Sequence, residues 1–173
     1  MIQEIVSDLY RLEIPLPMSE LQSINAYVIR GIERHLIIDT GVNTEECMSA
    51  MENALEELDI NRDDLDFFIT HHHGDHFGLV HRLMSEESTV YIHEEAGRAV
   101  ERIATGDIMQ EVKAFIRLSG IPDEETGRMA PPDTARLFKP DRPFAFKFVK
   151  DGEFVQVGEY RFQCVVTPGH AVG

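Results

Sequence analysis

The stretch ITHHHGDHFG, Ile69–Gly78, holds half of the eight histidines in this chain of 173 residues. The apolar run LDFFIT, which leads into the histidines, predicts a buried strand. At the extended end of a strand, side chains two residues apart point the same way. We therefore expect His71 and His73 to face one metal ion, while His72 points away.

Asp75 and His76 complete the pattern H-x-H-x-D-H. The apolar residues of DHFGLVHRLMSE recur at helical spacing and predict a helix from about Asp75, whose first turn would project both side chains toward the same space. Imidazole nitrogen and carboxylate oxygen are ligands that suit zinc, iron or manganese. A tag remnant would be terminal, and a solvated loop would not join an apolar strand to an apolar helix. The cluster therefore predicts a metal site.

Acidic residues dominate the charge, since 31 Asp and Glu against 16 Lys and Arg give a formal net charge of −15. Such a surface repels phosphate backbones and anionic lipid, so we expect neither nucleic acid nor a membrane as the partner. The 43% of hydrophobic residues is enough for the core of one domain over 1–173. Cys47 and Cys164 form no C-x-x-C pair and are expected to be buried, unpaired thiols.

The N-terminal stretch MIQEIVSDLYRLEIPLP has acidic residues and prolines where a signal peptide has a basic start and an apolar core. The sequence also contains no run of about 18 apolar residues, the length that a membrane-spanning helix needs. We therefore expect a cytoplasmic protein.

The order of elements predicts a mixed α and β fold. Strands are expected in IVSDLYRLEI, NAYVIRG, RHLIIDTG, LDFFIT and TVYIHEE, and two more, joined by Gly158 and Glu159, in EFVQVGEYRFQCVVTPGH. One helix is expected in NTEECMSAMENALEEL, with Asn43 and Glu46 as its start signal, and others over 94–119 with a break near TGD. The segment 119–143 is rich in Pro, Gly and charge and predicts a long irregular loop.

Three groups of motifs resemble those of the metallo-β-lactamase superfamily, and they occur in the family's order. They are INAYVIRG followed by LIIDTG, then THHHGDHFG, then VVTPGHAVG. The resemblance covers almost the whole chain. It implies an α+β protein over 1–173, the N-terminal part of an αββα sandwich, with a helical insertion at about 94–150.

The resemblance also implies a site for two divalent metal ions, zinc in the first place with iron or manganese as alternatives. The residues that match the family's ligands are His71, His73 and His170 for the first ion and Asp75 and His76 for the second. Asp39, in the D-T-G motif, is implied to support the site from beneath. A turn residue that bonds only its local backbone is the alternative for Asp39.

The activity that the resemblance implies is metal-dependent hydrolysis of a small-molecule ester, thioester, lactone or related substrate by a metal-bound hydroxide. Asp75 would hold the second metal, orient the nucleophile and move a proton. The missing export signal disfavours a secreted β-lactamase, and the negative charge disfavours RNA processing. The diiron redox branch of the family has Glu where His73 stands, which argues against redox chemistry.

In the family, an aspartate that bridges the metals and a last histidine follow in the second half of the fold. The chain ends at Gly173, so we expect a domain that is incomplete at its C-terminus. An alternative hypothesis follows, in which the chain is an inactive metal-binding fragment. Its exposed sheet face would then favour a homo-oligomer, because burial of apolar surface stabilises association.

Overall fold

The computed structural model describes residues 1–17, 20–105, 107–122, 125 and 145–171. Within these residues, one sheet has seven strands in chain order. The strands are β1 Ile2–Val6, β2 Leu9–Pro15, β3 Ser23–Ile29, β4 His35–Ile38, β5 Leu65–Ile69, β6 Val90–His93 and β7 Lys147–Val149. Strands β1 to β4 pair antiparallel, whereas β4 to β7 pair parallel. The parallel strands therefore end at one edge, where loops can build a site.

Helices and a separate hairpin complete the described part of the chain. The helices are α1 Glu45–Glu57, α2 Gly74–Phe77, α3 Val80–Leu83, α4 Glu94–Thr105 and α5 Asp107–Leu118. The hairpin consists of β8 Phe154–Val157 and β9 Tyr160–Gln163, which turn at Gly158 and Glu159 as predicted. The mixed α and β fold expected from the sequence is confirmed.

The two faces of the sheet bury different partners. Helix α1 presents a stripe at helical spacing, and all its members are buried against one face: Met48, Met51, Leu55 and Leu58. The other face buries Leu36 and Val149 together with Val155 of the hairpin and Cys164 beyond it. The sheet thus lies between helices and a hairpin. Cys47 and Cys164 are buried free thiols, as expected.

Three local predictions were wrong in detail. The stretch IVSDLYRLEI is not one strand, because a turn at Ser7 and Asp8 separates β1 from β2, and Asp8 adopts a φ of 61° there. The cap of α1 is Thr44 rather than Asn43, since the Thr44 side chain accepts a hydrogen bond from the Cys47 N–H. The helix expected from about Asp75 is two helices of four residues each, α2 and α3.

The segment at 94–150 is helical only in part. Helix α4, which ends at Thr105, and α5, which begins at Asp107, account for its first half. The break predicted near TGD falls on residue 106, outside the described residues. Its last residues form β7, which pairs with β6 and which sequence reasoning missed. The loop predicted over 119–143 falls mostly outside the described residues. No helix in the described part of the chain is long and apolar enough to cross a membrane.

Candidate metal centre

Three imidazole nitrogens converge beyond the carboxyl end of β5. His71 Nε2 lies 3.1 Å from His73 Nδ1, and His73 Nδ1 lies 2.9 Å from His170 Nε2. The candidate ligand atoms of the three side chains all lie within 4.8 Å of one another. The fold thus brings a histidine 97 residues away in sequence to the pair that the spacing predicts.

The local chain explains why His71 and His73 face the same space. Strand β5 ends at Ile69, and His73 keeps an extended backbone, with φ −73° and ψ 140°, directly before α2 begins at Gly74. The intervening His72 is not a member of the three-nitrogen group. Its Nδ1 atom is buried and makes no hydrogen bond within the described residues.

Asp39 lies behind the cluster and is almost fully buried, at 5% exposure. Its Oδ1 accepts a hydrogen bond from the Thr70 N–H at 2.9 Å, and its Oδ2 accepts one from the Thr70 hydroxyl at 2.8 Å. The same Oδ2 lies 2.7 Å from His76 Nδ1. These partners lie at residues 70–76, the segment that holds the histidines, rather than in the turn that contains Asp39. The carboxylate therefore ties the end of β4 to that segment.

The hydroxyl of Thr70 determines which nitrogen of His71 carries hydrogen. It has one hydrogen, which it donates to Asp39, so it must accept at its 3.0 Å contact with His71 Nδ1. Nδ1 of His71 is then the protonated nitrogen, and Nε2 presents its lone pair to His73. The pKa of His71 is lowered to about 4, first by burial and then by the neighbouring His76 and His73. This ring is therefore neutral at pH 7.

His76 lies between two carboxylates, with Nδ1 2.7 Å from Asp39 Oδ2 and Nε2 3.4 Å from Asp75 Oδ2. Burial alone would lower the pKa of His76, but the hydrogen bonds to Asp39 and Asp75 outweigh it and raise this pKa to about 9. The hydrogen bond with His76 in turn lowers the pKa of Asp75. The His76 ring lies 4.0 Å from the ring of His71, centroid to centroid, so the second predicted pair is adjacent to the first group.

Thr40 and Gly41 explain the rest of the D-T-G motif. The buried Thr40 hydroxyl donates to the His76 carbonyl at 3.0 Å and accepts from the Leu79 N–H at 3.2 Å. Gly41 has a φ of 112°, a left-handed conformation that favours glycine. The motif therefore holds the start of the helical segment after the histidines against the end of β4.

The donor set fits a divalent cation. Three imidazole nitrogens that lie within 4.8 Å of one another match the three-ligand sets of catalytic metal sites. The neutral ring of His71 offers a lone pair to such an ion. Metal-binding histidines usually donate their other ring N–H to an oxygen, as His71 does to Thr70 and His76 to Asp39. Sequence reasoning missed Thr70, whose one signal is its place directly before the first histidine.

Comparison with known proteins agrees with the fold. The chain matches the family model of the metallo-beta-lactamase superfamily over residues 20–171. It is 30% identical over 87 residues to the probable metallo-hydrolase YqjP of Bacillus subtilis (strain 168), a match that covers 50% of this chain and 26% of that protein.

Two solved structures share the fold. One is a metallo-beta-lactamase family protein from Thermus thermophilus, with 26% identity and a TM-score of 0.81, covering 98% of this chain and 55% of that one. The other is a beta-lactamase domain protein from Burkholderia ambifaria, with 20% identity and a TM-score of 0.74, covering 99% of this chain and 50% of that one. The chain thus spans about half the length of these structures. The predicted fold class is confirmed, and the chain belongs to the metallo-β-lactamase superfamily.

Proposed function

We propose that this protein hydrolyses a small-molecule ester, thioester, lactone or related substrate with two divalent metal ions, zinc in the first place. The observation that carries the proposal is the three-nitrogen group of His71, His73 and His170 beside the Asp75–His76 pair. Membership of the superfamily supports metal-dependent hydrolysis in general. The substrate class, the identity of the metal and the number of ions are part of the proposal.

The residues divide between two ions. His71, His73 and His170 would hold the first ion, and Asp75 and His76 the second. When bound, such ions lower the pKa of a water molecule toward neutrality and polarise the bond to be cleaved.

The other side chains hold the ligands in place and move protons. Asp39 accepts hydrogen bonds from the Thr70 hydroxyl and from His76 Nδ1, and the Thr70 hydroxyl accepts one from His71 Nδ1. Because Nδ1 of both histidines is engaged in this way, Nε2 of each ring faces the site. The carboxylate of Asp75 would orient the attacking water, take its proton and return that proton to the leaving group.

The proposal is tested with a panel of one thioester, one lactone and one phosphodiester, each assayed before and after chelation. We expect turnover of the thioester or the lactone, a loss of at least about 100-fold after metal removal, and recovery with zinc. Calcium is the matched control, because it prefers oxygen ligands and should not restore activity. Turnover that survives complete metal removal would contradict the proposal.

A second candidate is supported by exposed apolar side chains of the hairpin and of the segment just beyond it. Phe154 is 48% exposed and Val165 is 67% exposed. Burial of these side chains favours association. We propose that the chain of 173 residues, taken alone, forms a homo-oligomer through this face and binds metal without turnover.

Light scattering tests this second candidate. We expect a dimer or a larger assembly, and we expect Phe154→Glu with Val165→Glu to give a monomer because two charges would then have to be buried. Leu118→Glu is the control, since Leu118 is 88% exposed and lies in α5, which packs against α4. A monodisperse wild-type monomer would rule out the association.

A further inference from the structure

A cavity of about 310 Å³ lies beside the metal centre, on the hairpin side of the sheet. Its walls come from the carboxyl ends of β5, β6 and β7 and from residues 163–167. Thr70 lines this cavity and also contacts His71, so the cavity and the metal centre share a wall. One molecule could therefore place a group in the cavity and reach the metal centre with its next atoms.

His93 contributes an imidazole ring to the wall of the cavity. It is the last residue of β6, and it lines the cavity. Its Nδ1 atom is buried and makes no hydrogen bond within the described part of the chain. Because Nδ1 has no accessible surface, a ligand in the cavity would meet the other ring nitrogen of His93, Nε2, which can donate or accept a hydrogen bond.

Lys150 supplies a positive charge to the same cavity, directly after β7. No carboxylate is among the described lining residues, although the chain has a formal net charge of −15. The two nearest acidic side chains in sequence are engaged with backbone groups. Glu153 Oε2 accepts from the Lys150 N–H, and Asp151 Oδ1 accepts from the Val166 N–H, each at 2.9 Å. The carboxylate of Glu94 also interacts with Lys150 and His93, but its hydrogen bonds go to Arg98. The Lys150 ammonium is therefore the group of the described lining that can attract an anion.

The remaining lining limits the size and nature of the ligand. Phe68, Val149 and Cys164 make part of the wall apolar. A volume of about 310 Å³ is at the lower end of the range for small-molecule pockets. The cavity therefore suits a short apolar chain that ends in an anionic group.

We infer that this cavity binds the acyl chain of the substrate and that Lys150 and His93 recognise a carboxylate at the end of that chain. The inference rests on the proposed hydrolase function, because the acyl carbonyl would have to lie at the neighbouring metal centre. It deepens that function by naming the substrate class, an ester or thioester of a short dicarboxylic acid.

The test compares two thioesters of the same aromatic thiol, one with a succinyl group and one with a butyryl group. The acyl chains have the same length and differ in a terminal carboxylate or methyl. We expect the wild-type protein to prefer the succinyl thioester by at least about tenfold in kcat/KM, the size of effect that a hydrogen bond to a charged group supplies. Lys150→Met and His93→Phe should each reduce this preference by raising the KM for the succinyl thioester more than the KM for the butyryl thioester.

Two further variants separate recognition from a structural effect. Lys147→Met is the matched control, because the Lys147 ammonium lies 5.0 Å from the centre of the Tyr91 ring and the residue does not line the cavity. It should keep the preference, and Lys150→Arg should restore part of it. An equal loss for both thioesters in Lys150→Met, or no preference in the wild type, would overturn the inference.

A binding measurement keeps this inference distinct from the proposed function. Calorimetric titration of the metal-loaded protein with succinate should show affinity that Lys150→Met weakens by at least about tenfold. If neither thioester is hydrolysed, the proposed function fails, yet succinate binding that depends on Lys150 still supports the cavity as an anion site. Succinate binding that is absent, or is the same in both proteins, overturns the inference.

Discussion

Replacement of both His71 and His73 by alanine is expected to abolish metal binding. The two side chains supply two of the three nitrogens that lie within 4.8 Å of one another, and His170 alone cannot replace them. Changes to residues that merely support metal ligands weaken binding about 10–100-fold, so the loss of two ligands should exceed that range. The measurement is metal per chain, by elemental analysis after dialysis against a weak chelator.

His72→Ala is the matched control for this double variant. It removes an imidazole from the same loop, but His72 is outside the three-nitrogen group. We expect the metal content of His72→Ala to equal that of the wild type. Unchanged metal content in the His71 and His73 double variant would show that the ion is bound elsewhere.

Asp39→Asn is expected to weaken metal binding about 10–100-fold, the range for changes to the partners of metal-bound histidines. The new amide nitrogen would donate toward His76 Nδ1 or the Thr70 hydroxyl, whereas the carboxylate accepts from both. Where it donates to His76, Nδ1 must give up its hydrogen, so the hydrogen that remains on the ring is at Nε2, the atom that faces the site. The affinity is measured by competition with a chromophoric chelator, and the ring tautomer by nitrogen NMR.

Asp66→Asn provides a control with the same chemical change. Asp66 is partly buried and also bonds to residues distant in sequence, to Arg34 at 2.9 Å and to the Thr89 N–H at 2.8 Å. It belongs to β5, but these hydrogen bonds do not reach the histidines. We expect this variant to lose stability and keep its metal affinity. Equal affinities for Asp39→Asn and the wild type would refute the support role of Asp39.

The parts of the fold that sequence reasoning predicted are those with strong local signals. The stripe of α1 and the Gly158–Glu159 turn each follow from spacing within about a dozen residues. Strand β7 has three residues and gains its strand conformation by pairing with β6, more than 50 residues earlier, so no local pattern marks it. The turn at Ser7 and Asp8 lacks Gly or Pro, and for that reason the sequence reads as one continuous strand.

The site was predictable to a similar degree. Alternation at the end of a strand predicts that His71 and His73 converge, and the structure brings their nitrogens to 3.1 Å. Spacing cannot place His170, which is distant in sequence and which the family resemblance alone suggested. The link from Thr70 to Asp39 spans 31 residues and depends on the parallel pairing of β4 with β5, so it emerges only in the folded chain.

That the three histidines bind a metal ion is tested most directly by an anomalous-scattering map from crystals of the protein purified with its metal. We predict an anomalous peak within bonding distance of His71 Nε2, His73 Nδ1 and His170 Nε2, the atoms that converge in the structure. A map in which the metal lies away from these three nitrogens, or in which the histidines hold no ion, would contradict this prediction.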